Sequence, residues 1–167
     1  MTQDITSNAA HPDSRIGHVH LKVSNLDQAI AFYSGVLGFE LQLRMGDQAA
    51  FLGAGGYHHH IGLNTWESAG AGPAPKFAAG LYHTAFLFPS RKELALAIQR
   101  VTDAGLRFTG AADHGVSEAI YLDDPDGNGV ELYVDRPKAD WPTDEKGNIV
   151  MYNRPFDMNG VMATLDT

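Results

Sequence analysis

Gly17-His18-Val19-His20-Leu21-Lys22-Val23 in the first half and Tyr82-His83-Thr84-Ala85-Phe86-Leu87-Phe88 in the second are the stretches whose reading decides the fold. Alternation in the first puts His18, His20 and Lys22 on one face of a strand and Val19, Leu21 and Val23 on the other. Laid on the second, it sets His18 over His83. The residues after each stretch match as well. Asn25 can cap a helix with Asp27 in its first turn, Ala29, Ile30, Phe32, Tyr33, Val36 and Leu37 at helical spacing, and Gly38 at its end. Strands are then expected over Phe39–Arg44, Ala49–Leu52 and His58–Asn64, with a turn at Gly53–Gly56. In the second half Leu81–Phe88 reads as a strand, and Leu94, Ala95, Ala97, Ile98 and Val101 mark a helix ending at Gly105. Extended pieces come next over Leu106–Gly110, Glu118–Leu122 and Val130–Val134, the last two separated by the turn Asp124-Pro125-Asp126-Gly127-Asn128-Gly129.

The order β-α-β-β-β therefore occurs twice. The expected organisation is a disordered arm over 1–14, a first βαβββ module over 15–66, a Gly/Ala/Pro-rich linker over 67–79, a second module over 80–136, and a wrapping tail without a clear element over 137–167. The fold class is α+β.

The chain has 167 residues, enough for one real core, and a formal charge of −8. An acidic surface repels phosphate backbones, so no nucleic-acid partner is expected. No apolar run approaches a membrane span and the first residues are polar, so a cytoplasmic protein is expected, with no membrane partner. Absence of cysteine excludes disulfides and thiolate chemistry. A metal would have to be held by His, Asp, Glu or carbonyl oxygen, and the 8 histidines are the informative residues.

In Gly129-Val130-Glu131-Leu132-Tyr133, alternation sends Val130 and Leu132 toward the helices and Glu131 and Tyr133 to the opposite, concave side. A carboxylate there needs a compensating partner. With the two first strands side by side, His18, His83 and Glu131 form a 2-His-1-carboxylate set, typical of non-heme Fe(II) and also acceptable to Mn(II) or another divalent metal. The run His58-His59-His60 precedes Ile61 and Leu63. If those two pack outward, His58, His60 and Asn64 face the cavity, and a slip of one residue substitutes His59 for His60. His20 shares the face of His18 and is a candidate pocket residue.

These stretches resemble the vicinal oxygen chelate superfamily, which includes glyoxalase I, bleomycin-resistance proteins and extradiol dioxygenases. The resemblance covers about residues 15–136. It implies a half-open, mixed, eight-stranded barrel with helices outside. His114, Ile120-Tyr121, Asp124-Pro125-Asp126-Gly127 and Glu131 are spaced like the extradiol dioxygenase signature, with Ala112 as a departure. "GLYHTAFLFPSRKELA" and "DHGVSEAIYLDDPDGNGVELYVDRP" look like catechol 2,3-dioxygenase-like members. Ring-cleaving members commonly carry two pairs of modules, where this sequence shows one.

By resemblance, His18, His83 and Glu131 bind the metal, Tyr121 holds the substrate, His114 is a donor behind it and His60 is the acid–base. His20 is a further substrate-binding candidate. The function implied is a metal-dependent, ring-cleaving dioxygenase acting on a catechol-like aromatic and O2. Alternatives are a glyoxalase-type isomerase or lyase, which the absence of a fourth carboxylate disfavours, and a non-catalytic small-molecule-binding resistance protein. Relatives often pair, so a homodimer is compatible, with the oligomeric state open.

Overall fold

A computed structural model describes residues 9–166; of the arm expected over 1–14, residues 1–8 lie outside the described residues. The eight strands are β1 (Val19–Lys22), β2 (Glu40–Met45), β3 (Ala49–Gly53), β4 (Ile61–Asn64), β5 (His83–Leu87), β6 (Phe108–Asp113), β7 (Ser117–Asp123) and β8 (Gly129–Asp135). They form two mixed sheets of identical topology, β1-β4-β3-β2 and β5-β8-β7-β6. In each, the first and last strands pair in parallel and the other neighbours pair antiparallel. The α+β class and the repeated module are thus those expected.

Helix α1 (Leu26–Ile30) starts where Asn25 accepts a hydrogen bond from the Gln28 amide. It continues as a π-turn segment over Ala31–Val36 and stops at Gly38, whose φ of +86° only glycine adopts without strain. Helix α2 (Arg91–Asp103) opens on Ser90, whose hydroxyl caps it by accepting from the Glu93 amide. Its buried face carries Leu94, Ala95, Ile98 and Val101.

One apolar core is shared by both modules. Val130 and Leu132 of β8 and Leu63 of β4 are fully buried in it, beside Tyr33 and Phe32. Polar bonds join the modules at its edge. Arg100 of α2 donates to the Val36 and Leu37 carbonyls (3.1 and 3.3 Å), satisfying acceptors left free at the end of the first helix. The Tyr33 hydroxyl donates to Asp124 at 2.9 Å, and the Ser24 amide donates to Asp126 at 2.9 Å. The Asp-Pro-Asp-Gly-Asn turn therefore clasps the second module to the first as well as reversing the chain.

Two local expectations differ from the structure. Strand β4 begins at Ile61 because Gly55 and Gly56, at φ +61° and +76°, bend the chain; residues 58–60 lie outside the strand. The C-terminal stretch has regular elements: a 3₁₀ turn over Lys138–Asp140, α3 (Met158–Met162) and a closing 3₁₀ turn over Ala163–Asp166. Asp157 caps α3, and the fully buried Val161 anchors it to the core. No helix among the described residues is long and apolar enough to cross a membrane.

Candidate functional site

Burial of Val130, Leu132 and Val134 turns Glu131 and Tyr133 to the other face of β8. Tyr121 of β7 stands opposite Glu131 in the antiparallel register, and opposite Gly110 of β6 on its other side. Paired residues share a face, so the Tyr121 ring lies over glycine and its hydroxyl reaches Glu131. The hydroxyl is 3.3 Å from Glu131 Oε1 and 2.8 Å from His114 Nε2. His83 enters from β5, its Nε2 2.8 Å from Glu131 Oε2. Glu131 keeps only 12% of its side chain exposed. Burial and the adjacent carboxylate push the Tyr121 phenol up to about 12, so it remains protonated at neutral pH. His83, Tyr121, His114, Gly110, Lys76 and Asn153 line a cleft of about 800 Å³.

The other candidates gather on the first sheet. The rings of His18 and His59 are 4.6 Å apart, and His59 lies 5.1 Å from Phe51. His58 and His59 share a hydrogen bond between their Nδ1 atoms at 2.7 Å. His60 is turned aside: its ring packs 4.7 Å from Tyr57 and 6.4 Å from Phe39, and its Nδ1 accepts from the Ala54 amide. The bend at 57–60 interrupts the alternation, so His59, not His60, joins His18. Burial and the neighbouring imidazoles lower the basicity of His59. His20 is lowered by burial and by His18. His20 stands between Phe51 and Trp66 and opens onto a separate cleft of about 340 Å³ between the modules. Close contact with its ring leaves no room for a side chain at Gly62, where a Cβ would fall 2.9 Å from it.

The three expected metal donors do not converge. His83 and Glu131 meet, while His18 packs with His59, and no group of three His, Asp or Glu able to hold a metal occurs among the described residues. The repeat makes His18 and His83 equivalent within their modules, but among the described residues no ladder joins the two sheets to set the distance between them. His83 Nδ1 is buried without a hydrogen-bond partner, whereas a ligating histidine normally donates its second N–H. The nitrogen and oxygen donors of His83 and Glu131 suit a divalent cation; a three-donor centre is not assembled here.

Two polar groupings have little or no signature in the sequence. Glu118, side chain 3% exposed, is gripped by Arg91 at 2.8 Å and Arg136 at 3.3 Å. The Tyr152 carbonyl lies 3.0 Å from His114 Nδ1. The only sequence signal for the first is a charged residue inside an apolar strand, Glu118 before Ala119-Ile120; a backbone carbonyl leaves no such signal.

Comparison with known proteins agrees with this architecture. The family model described as the glyoxalase/bleomycin resistance protein/dioxygenase superfamily matches residues 15–132. The chain is 41% identical over 152 residues to a catechol-2,3-dioxygenase of Bacillus subtilis (strain 168), covering 91% of this chain and 52% of that protein. It is 31% identical over 121 residues to biphenyl-2,3-diol 1,2-dioxygenase 3 of Rhodococcus globerulus, covering 72% of this chain and 63% of that one. The chain thus spans about half the length of the Bacillus relative and under two thirds of the Rhodococcus one.

Among solved structures, a lactoylglutathione lyase from Agrobacterium tumefaciens superposes with a TM-score of 0.58 at 25% identity, covering 74% of this chain and 96% of that one. A glyoxylase/bleomycin resistance protein/dioxygenase domain from Frankia sp. EAN1pec gives 0.61 at 26% identity, covering 74% and 98%. Repeated modules, shared core and matched sequence together place the chain in the glyoxalase/bleomycin resistance protein/dioxygenase superfamily, to which it belongs.

Proposed function

We propose that this chain is an extradiol-type, ring-cleaving dioxygenase that takes a catechol-like aromatic and O2 and depends on Fe(II), with Mn(II) as the substitute. The observation that carries the reading is the Tyr121 hydroxyl, held between His114 and Glu131 beside His83 in an open cleft. Similarity to two diol dioxygenases supports the reaction class. Glu131 and His83 are the two donors proposed for the metal; His18, packed against His59, is not brought to them. When bound, the metal would supply the redox chemistry that couples a vicinal diol to dioxygen.

The chain's own residues then have separate tasks. Tyr121, kept as a phenol by burial and by Glu131, accepts a hydrogen bond from a substrate hydroxyl through its oxygen and orients the ring. Behind it, His114 exchanges a proton through that hydroxyl, so the acid–base task expected of His60 passes to His114. Gly110, Ala111 and Ala112 wall the cleft with small side chains, leaving space for a planar substrate.

The test is oxygen uptake with catechol after anaerobic loading with Fe(II), with metal content measured in parallel. Wild type should consume O2 and form a yellow product. Tyr121→Phe should keep its metal and lose about 10–100-fold in rate, as groups supporting a metal site do. Metal uptake without O2 consumption would replace the reading by an isomerase or lyase. Neither metal nor turnover would make the chain a binding module.

A further inference from the structure

We propose that the C-terminal stretch around Tyr152, beyond the part of the chain matched by the family model, is a positioning element for the cleft. Its Tyr152 carbonyl holds His114 in the Nδ1–H tautomer and thereby sets the direction of the Tyr121 hydroxyl. The consequence for catalysis rests on the dioxygenase reading; the tautomer itself does not.

A carbonyl oxygen can only accept. At 3.0 Å from His114 Nδ1, it requires that this nitrogen carry the hydrogen, because the other tautomer would face two lone pairs together. Neutral His114 then has its lone pair on Nε2, 2.8 Å from the Tyr121 oxygen. A phenol has one hydrogen to give. With Nε2 as acceptor that hydrogen goes to His114, and the longer contact to Glu131 Oε1, at 3.3 Å, is left without it. In the opposite tautomer Nε2–H would donate to Tyr121, and Tyr121 would donate to Glu131. The Tyr152 carbonyl therefore leaves both Glu131 oxygens free of the Tyr121 hydrogen and makes Nε2, on the cleft side, the nitrogen of His114 that exchanges protons.

The carbonyl is held firmly. Asp113 and Arg154 exchange two backbone hydrogen bonds of 3.0 Å, and the Tyr152 amide donates to the His114 carbonyl at 3.2 Å. The Arg154 guanidinium lies 4.0 Å above the Tyr152 ring. That ring packs on Gly115, where a Cβ would sit 2.7 Å from it and 2.9 Å from Pro142. Gly115 also has φ +81°, so glycine serves there both for backbone conformation and for contact with the tail.

The experiment is long-range ¹⁵N–¹H NMR on the full chain with ¹⁵N-labelled histidine at mildly alkaline pH, the His114 signals being assigned by their loss in His114→Gln. Wild type should show His114 as Nδ1–H. Tyr152→Gly, which removes the ring from Gly115 and Arg154, should convert His114 mainly to Nε2–H, the form free imidazole side chains favour in water. Gly115→Ala, which pushes the tail outward, should do the same and covers the case of a misfolded first variant. Nε2–H in wild type, or an Nδ1–H signal unchanged in both variants, would overturn the proposal. If the tautomer shifts as stated but wild type cleaves no diol, the positioning role stands and the dioxygenase reading fails.

Discussion

Glu131→Gln should lose at least about 100-fold in divalent-metal affinity and a comparable factor in ring cleavage, while folding normally. Groups that merely support a metal ligand cost about 10–100-fold when removed, so loss of the charged donor itself belongs at or above the upper end. Glutamine retains the shape and can still hydrogen-bond His83 and Tyr121, which surround this mostly buried side chain. Unfolding free energy should therefore change by about 1 kcal/mol or less. Calorimetric titration with Mn(II), beside a urea melt, reads both quantities. Retention of wild-type affinity would remove Glu131 from the proposed donor set.

The largest effect on stability is expected from Arg91→Ala combined with Arg136→Ala. Together the two guanidiniums surround Glu118, whose side chain is nearly inaccessible at the start of β7. Removing both strands a carboxylate in the interior, which costs about 3–5 kcal/mol; the low end applies because each arginine is about one third exposed and already partly screened. Adding Glu118→Met to the double variant should recover most of the loss, since the stranded charge is then gone. Urea melts at neutral pH measure this. A double variant within about 1 kcal/mol of wild type would show that the cluster contributes little.

Strand faces are legible in the sequence wherever one side has to be buried. Val19 and Leu21 against His18 and His20, and Val130 and Leu132 against Glu131 and Tyr133, alternate because helices cover only one face of each sheet. The same rule fails at His58–His60, since Gly55 and Gly56 bend the chain before β4 and cancel the period of two. Equivalence of His18 and His83 is also legible, but a repeat specifies position within a module and not the gap between two sheets. The tail is less visible. Its Asp157 cap and the spacing of Met158, Val161, Met162 and Leu165 mark a short helix only once α2 is there to receive it. Tyr152 acts through its backbone, which no side-chain pattern reports.

The most direct test is where a divalent ion settles on this chain. Paramagnetic Mn(II), added at substoichiometric amounts to ¹⁵N-labelled protein, broadens backbone signals close to the ion first. The earliest losses should centre on His83, Glu131 and Tyr121, and Glu131→Gln should abolish them. Broadening centred instead on His58 and His59, and unaffected by Glu131→Gln, would show that the histidine run is the chain's metal site and that the cleft beside Tyr121 carries no metal chemistry.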